Sequence, residues 1–225
     1  MKFSRDLIKE FLFKKPFFKR FALMLIGVTV MGICVSVLKL THLGTDPCSA
    51  TNYGISHLTG LSFGNVQVIV ASILLVIVLI FDWKKLGLGT IANMLVVGYV
   101  ADFTTYFTSK VLGIETIERL WVRIVVMLIF LTIFIFAVAL YINSGLGASA
   151  YDVLPYIIHE KLCKAFNKTI PFKLVRTFYD GFFALVGFLI GGETGVITVL
   201  MVLTLGPVIV YVAAFVEGML GLKNE

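Results

Sequence analysis

Charged side chains are scarce in this sequence: Asp, Glu, Lys and Arg make up 14% of its 225 residues, against about a quarter in soluble domains. Hydrophobic residues make up 59%. Many of them stand in runs of about 20 residues, the length that a helix needs to cross a bilayer. The scarcity of charge over such lengths excludes a soluble globular domain. It predicts an all-α polytopic membrane protein that has the lipid bilayer as its surroundings.

The sequence also lacks the patterns of several site chemistries. Its three cysteines are scattered at Cys34, Cys48 and Cys163, without the CxxC or His-rich spacing of a metal site. The phosphate-binding GxxxxGK[ST] motif, the GxSxG motif of hydrolases and the HExxH motif of metalloproteases do not occur. We therefore expect no enzyme, no metal and no cofactor. The net charge of +6 fits Lys and Arg at cytoplasmic helix ends and predicts no nucleic-acid partner.

Six long apolar runs are predicted to be transmembrane helices: Phe21–Leu40, Asn65–Phe81, Leu88–Thr108, Val122–Asn143, Phe172–Ile190 and Gly195–Glu217. Two further segments, Pro47–Thr59 and Ser149–Leu162, would reach only about 20 Å as helices, so we predict two short half-membrane helices. Before the first run, residues 1–19 form a basic amphipathic segment, predicted as an interfacial helix ended by Pro16.

The two halves of the chain resemble each other. "LGTDPCSATNYGIS" at 43–56 parallels "LGASAYDVLPYII" at 146–158, and Gly87, Thr90 and Gly98 parallel Gly195, Thr198 and Gly206. One unit of three long spans and a short segment thus occurs twice, at 20–110 and 119–220. Equivalent loops have opposite charge: "TGLSFGN" and "GGETG" lack Lys and Arg, whereas "EKLCKAFNKTIPFK" and "DWKKLG" are basic. This predicts inverted repeats in the bacterial plasma membrane, with both termini cytoplasmic.

The strings "LGTDP", "LSFGN", "GTIANMLVVGYVADF" and "LGASAYDVLPYII" resemble the YczE/YyaS/YitT family of bacterial integral membrane proteins over about residues 20–215. The resemblance implies a multi-pass membrane protein in a family that mostly lacks a known biochemical function. Some members have been described as transporters, and one branch is linked to lipopeptide antibiotic production. The chain looks like a short form that lacks the soluble C-terminal domain of the larger YitT-type relatives.

Polar residues in the two short segments and the fifth span are the candidate site. A charge near the bilayer centre costs at least about 2.5–3.5 kcal/mol, so Asp180 must face protein or water. Asp180 and Arg176 could form a structural pair, and Asp46 and Asp152 could merely cap their helices. The functional alternative is a substrate-binding site formed by both halves. Its candidate residues are Thr45, Asp46, Ser49, Asn52, Tyr53, Ser149, Tyr151, Asp152, Tyr156, Arg176 and Asp180.

Inverted repeats with paired interruptions favour a secondary transporter or facilitator of a small polar solute. The alternative is a non-transporting accessory or regulatory protein of another membrane or secretion system. A dry, solid interface between the halves, or short helices lying flat on the membrane surface with their polar side chains in bulk solvent, would favour that alternative.

Overall fold

The chain forms eight helices over the residues that the computed structural model describes, 15–220, and no strand occurs among them. The helices are α1 (Lys15–Thr41), α2 (Pro47–Thr59), α3 (Phe63–Asp82), α4 (Leu88–Val111), α5 (Leu120–Asn143), α6 (Ala150–Phe166), α7 (Phe172–Leu189) and α8 (Val196–Leu220). Residues 1–14 of the predicted N-terminal segment lie outside the described residues. Residues 15–19 belong to α1, so Pro16 lies in the first turn of this helix rather than at the end of a separate one.

Five of the described helices are long and apolar enough to cross a membrane: α1, α3, α4, α5 and α8. The remaining predicted span, the fifth along the chain, corresponds to α7. This helix has 18 residues and includes Lys173, Arg176 and Asp180, so its composition alone does not identify it as a span. Large apolar side chains remain exposed on the outer faces, among them Val196 at 76% and Phe178 at 78%. Such exposed apolar surface is expected where helices face lipid.

The two short helices begin as the sequence predicts. Helix α2 spans Pro47–Thr59, with Asp46 as N-cap accepting a hydrogen bond from the backbone N–H of Ser49 at 3.0 Å. Helix α6 begins at Ala150 and is capped by Ser149, not by Asp152. Ahead of both helices, Gly44 and Gly147 adopt φ values of 106° and 104°, which residues with a side chain rarely adopt.

The predicted end of the second short helix is wrong, because α6 continues past Leu162 to Phe166 and has 17 residues. An i,i+4 ion pair between Glu160 and Lys164, 2.7 Å long, supports the added turn. Asn167 then ends the helix in the left-handed conformation. At 1.5 Å per residue, α6 is about 25 Å long and is no longer a half-length helix.

Helix contacts recur in corresponding pairs. The centre of the bundle is α1 against α5, and around it α2 packs on α7 as α6 packs on α3. Within the first half, α4 packs on α1 and on α3. Within the second half, α8 packs in the corresponding way on α5 and on α7. Each short helix therefore packs mainly against a long helix from the other half of the chain.

The helix ends and the loops between them form two groups, one at each end of the bundle. In the first group, Thr45 N–H donates to Glu193 O, His57 Nδ1 lies 3.0 Å from Gly191 O, and Ile117 N–H donates to Leu40 O. In the second group, Lys19 Nζ donates to Leu220 O and Lys161 Nζ lies over the Phe81 ring. Every long helix runs from one group to the other, and α2 lies with the first group whereas α6 ends in the second.

Gly147 provides a test of the junction between the halves. A Cβ at Gly147 would collide with the backbone of Gly87, whereas at Gly113, which also has positive φ, nothing lies within 4 Å. Both Gly→Ala substitutions carry backbone strain of about 1–2 kcal/mol, but only Gly147→Ala adds an overpacking cost of about 1–3 kcal/mol. We expect Gly147→Ala to lower the Tm in detergent clearly more than Gly113→Ala. Equal Tm values for the two variants would contradict the close contact between Gly147 and Gly87.

Candidate functional site

A cavity of about 80 Å³ lies where the first turns of α2 and α6 meet the middle of α7. Both halves of the chain contribute to its wall. Eight of the eleven predicted site residues line it: Asp46, Ser49, Asn52, Ser149, Tyr151, Asp152, Arg176 and Asp180. At a minimum of about 10–15 Å³ for one water, the cavity has room for a few waters or one small solute.

One side of the cavity is a charged network centred on Arg176. Its Nε donates to Asp180 Oδ2 at 2.8 Å and its Nη2 donates to Asp152 Oδ1 at 2.9 Å. Tyr151 donates its hydroxyl to Asp180 Oδ1 at 2.6 Å, and Ser149 donates to Asp152 Oδ2 at the same distance. The Asp180 side chain is 1% exposed and that of Arg176 is 12% exposed. The prediction that Asp180 faces the protein interior and pairs with Arg176 is therefore confirmed.

The opposite side of the cavity is neutral except for Asp46. Asn52 donates through Nδ2 to Gln67 Oε1, and both side chains are buried. The side-chain oxygen of Asn52 has no hydrogen-bond partner among the described residues. The Asp46 carboxylate accepts the cap hydrogen bond from the Ser49 N–H, and no ion pair involves it within residues 15–220. On this side, the Asn52 side-chain oxygen and the Asp46 carboxylate are therefore acceptors that could take further hydrogen bonds.

The remaining wall is mostly apolar. It is formed mainly by α1, α3, α4, α5 and α8, and includes Met31, Leu74, Met94, Phe134 and Leu205. The cavity is consequently amphipathic, with acidic and amide groups at the helix starts and methyl, thioether and aromatic groups across from them. Ligand pockets commonly combine a largely apolar wall with a few convergent polar groups.

Three predicted site residues lie away from the cavity. Thr45 is fully buried in the loop before α2, where its hydroxyl lies within 3.4 Å of Glu193 O. Tyr53 follows Asn52 on α2 and so points about 100° away, where it packs on Phe63 with ring centroids 4.3 Å apart. Tyr156 is 48% exposed and stacks on the ring of Phe172. These side chains anchor the loop and helices and do not face a solute in the cavity.

The sequence reasoning missed Gln67, Thr90 and Asn93, which also line the cavity. Each is a single neutral residue in an apolar run. One signal was available for Gln67: when the halves are aligned on Phe63 and Phe172, Gln67 takes the position of Arg176 and Ala71 that of Asp180. When the two interruptions are aligned on Leu43 and Leu146, Asp46 matches Ser149 and Ser49 matches Asp152. Equivalent positions thus hold different charges in the two halves.

The two interruptions are joined to the other half by matching hydrogen bonds. Thr198 Oγ1 donates to Thr45 O at 2.8 Å, and Ile197 N–H donates to Leu43 O at 3.0 Å. At the equivalent place, Thr90 Oγ1 donates to Ala148 O at 2.6 Å, and Gly89 N–H donates to Leu146 O at 2.7 Å. Side chains and backbone of α4 and α8 therefore fix where α2 and α6 begin.

The sequence model of a family described as "Family of unknown function (DUF6198)" matches residues 18–214. The chain therefore belongs to this family. An "Uncharacterized protein" of Haemophilus influenzae is 29% identical over 196 residues, which cover 85% of this chain and 82% of that protein. No solved structure matches the chain.

Two relatives from Bacillus subtilis carry the names expected from the sequence motifs. The "Uncharacterized membrane protein YczE" is 24% identical over 151 residues, 66% of either chain. The "Uncharacterized protein YyaS" is 26% identical over 187 residues, 83% of this chain and 88% of that protein. The resemblance to the YczE/YyaS proteins is confirmed. With its five apolar helices, the chain is a polytopic helical membrane protein of uncharacterized function.

Removing the positive charge from the network should destabilise the fold. Arg176→Gln leaves Asp180 buried without its cation, and breaking a buried pair in this way costs about 3–5 kcal/mol. We expect a large fall in Tm for Arg176→Gln and a smaller fall when Asp180→Asn is added. Lys173→Gln, an exposed position on the same helix, should change stability by less than about 0.5 kcal/mol. Additive effects of Arg176→Gln and Asp180→Asn would contradict their direct coupling.

Proposed function

We propose that this membrane protein is a secondary transporter or facilitator of a small polar solute, with its binding site in the cavity between the two halves. The observation that carries the proposal is the enclosure of a partly polar cavity by the first turns of α2 and α6. Transporters with inverted repeats place their sites at the repeat interface, on broken or short helices. An accessory protein has no need for such a cavity.

In the proposed architecture, 20–110 and 119–220 are inverted repeats of three membrane spans each, and α7 crosses the membrane together with the five apolar helices. The paired helix contacts and the matching hydrogen bonds at residues 43–45 and 146–148 support the repeat. Three charged side chains on α7 do not argue against a span, because Arg176 and Asp180 are paired inside the protein and Lys173 is in the first turn, where it can reach the interface.

The orientation follows from charge. The helix-end group containing Lys19, Lys84, Lys85, Lys161, Lys164 and Lys168 is rich in lysine, which the positive-inside rule places in the cytoplasm. Lys19 in the second turn of α1 and Leu220 at the end of α8 meet in that group. The termini are then cytoplasmic, and α2 and α6 approach the cavity from the outer and inner sides. The bacterial plasma membrane is the proposed location.

The topology can be tested with two matched cysteines. Thr59 is the last residue of α2, Thr169 lies in the turn that follows α6, and both are exposed. In a background with the three native cysteines replaced by Ala, we expect an impermeant maleimide to label Thr59→Cys in intact cells. It should label Thr169→Cys only after permeabilisation, because the two turns lie on opposite sides of the membrane. Labelling of both variants from the same side would refute the inverted arrangement.

Transport can be tested in proteoliposomes that are exposed to a defined mixture of small polar metabolites, with uptake measured by mass spectrometry. Ala71 lines the cavity, so Ala71→Leu fills it and should reduce uptake of any transported solute at least tenfold. Ala214→Leu makes the same change at an exposed position of α8 and should leave uptake unchanged. If no solute is taken up faster than by protein-free liposomes, the transport proposal fails and the accessory role becomes the better hypothesis.

A further inference from the structure

The charges around the cavity do not cancel. Asp46, Asp152 and Asp180 line it, and Arg176 is the one cationic side chain in the described part of its wall. Helices α2 and α6 direct their N-termini at the cavity, and each N-terminus contributes about half a positive charge. The three carboxylates carry three negative charges, whereas Arg176 and the two helix N-termini together supply about two positive charges. About one negative charge is left without a partner.

The uncompensated negative charge lies on the α2 side. Arg176 is held by Asp152 and Asp180, both in the second half of the chain. Among the described residues, Asp46 has its cap contact with Ser49 and no cationic partner. A carboxylate facing a partly apolar cavity is costly unless a cation or hydrogen-bond donors reach it.

A second, independent observation comes from Asn52, six residues after Asp46. Asn52 is 1% exposed and lines the same cavity, and its Oδ1 atom has no hydrogen-bond partner within residues 15–220. A buried acceptor without a donor is costly, and native structures rarely leave one unsatisfied. A ligand that donates several hydrogen bonds would satisfy Asn52 and Asp46 together.

The wall discriminates between kinds of cation. No group of three or more His, Cys, Asp or Glu that could hold a metal ion occurs within residues 15–220. The side chains of Leu74, Met94 and Phe134 complete the cavity with apolar surface, which cannot replace the hydration shell of a bare metal ion. An ammonium head on a short apolar body matches both parts of the wall.

We propose that the cavity binds a small organic monocation, a primary ammonium whose N–H groups donate to Asp46 and Asn52 and whose carbon atoms contact the apolar wall. This inference rests on the proposed function, since it names the substrate class of the same site. A cavity of about 150 Å³ holds benzene, so about 80 Å³ limits a ligand in this conformation to roughly three or four non-hydrogen atoms. The best Kd that such a ligand can reach is about 0.5 mM with three non-hydrogen atoms, as in ethylammonium, and about 0.04 mM with four.

The test measures binding rather than transport. Purified protein is titrated with ethylammonium chloride up to about 100 mM, and the Tm and the retention of radiolabelled ethylamine in equilibrium dialysis are recorded. We expect a saturable rise in Tm with a millimolar Kd. Ethanol, sodium acetate and sodium chloride at equal concentration should give no saturable rise. An equal response to ethanol or to sodium chloride would overturn the proposal.

Asp46→Asn removes the charge and preserves the cap, because Asn is as good an N-cap as Asp. We expect the Kd for ethylammonium to rise at least tenfold while the Tm without ligand changes little. Asp102→Asn is the matched control: Asp102 Oδ2 also accepts a helix-start N–H, from Gly64 at 2.9 Å, and this residue is not part of the cavity wall. The Kd of the Asp102→Asn variant for ethylammonium should stay within twofold of the wild-type value. A wild-type Kd in the Asp46→Asn variant would overturn the proposal.

Gln67→Lys is a second variant that does not depend on Asp46→Asn folding. It puts an ammonium group into the wall at the position equivalent to Arg176, and the Asn52 amide can turn its oxygen toward it. Ethylammonium binding should then weaken at least tenfold, with the Tm without ligand maintained or raised. Unchanged binding would overturn the proposal.

Failure of this inference and failure of the proposed function give different results. Ethylammonium binding without uptake of any solute would refute transport and support the cation site. Uptake of a neutral or anionic solute by a protein that does not bind ethylammonium would support transport and refute the cation site.

Discussion

Backbone N–H and C=O groups in an apolar environment need hydrogen-bond partners, and this need governs the structure at its two interruptions. A break in a helix exposes several such groups, each at a cost of a few kcal/mol. Here the loop at residues 43–45 is bonded by the beginning of α8, and the loop at 146–148 by the beginning of α4. Each half therefore completes the other, and the short helices start at fixed places. The cavity lies where those two starts converge on α7.

Much of the fold could be predicted because its signals are local. An apolar run of about 20 residues is compatible with few structures other than a membrane helix. Asp46 followed by Pro47 is a helix start that needs no tertiary contact to be recognised, and the structure places the start of α2 there. The end of α6 was missed because no strong breaker follows Leu162. The chain stays helical until Asn167, a weaker signal than glycine.

The composition of the cavity wall could be predicted only in part. Charged residues stood out, because a buried charge in an apolar sequence requires a partner. Tyr53 and Tyr156 were assigned to the site because they occupy the same register in the two halves. Register does not fix the direction of a side chain once helices of 13 and 17 residues pack on different neighbours. Gln67 and Asn93 carry no charge and fall inside long apolar runs, so only the packing of α3 and α4 shows that they face the cavity.

The most informative feature is the difference between the two halves rather than their likeness. Gln67 and Ala71 stand where the other half has Arg176 and Asp180. Arg176 forms ion pairs with Asp152 and Asp180, so its positive charge is neutralised by residues of the second half. Asp46 then depends on the weak field of its own helix end and on whatever enters the cavity. A symmetric arrangement, with an arginine in place of Gln67, would supply Asp46 with a permanent partner. Gln67 instead places a neutral amide there, which accepts a hydrogen bond from Asn52.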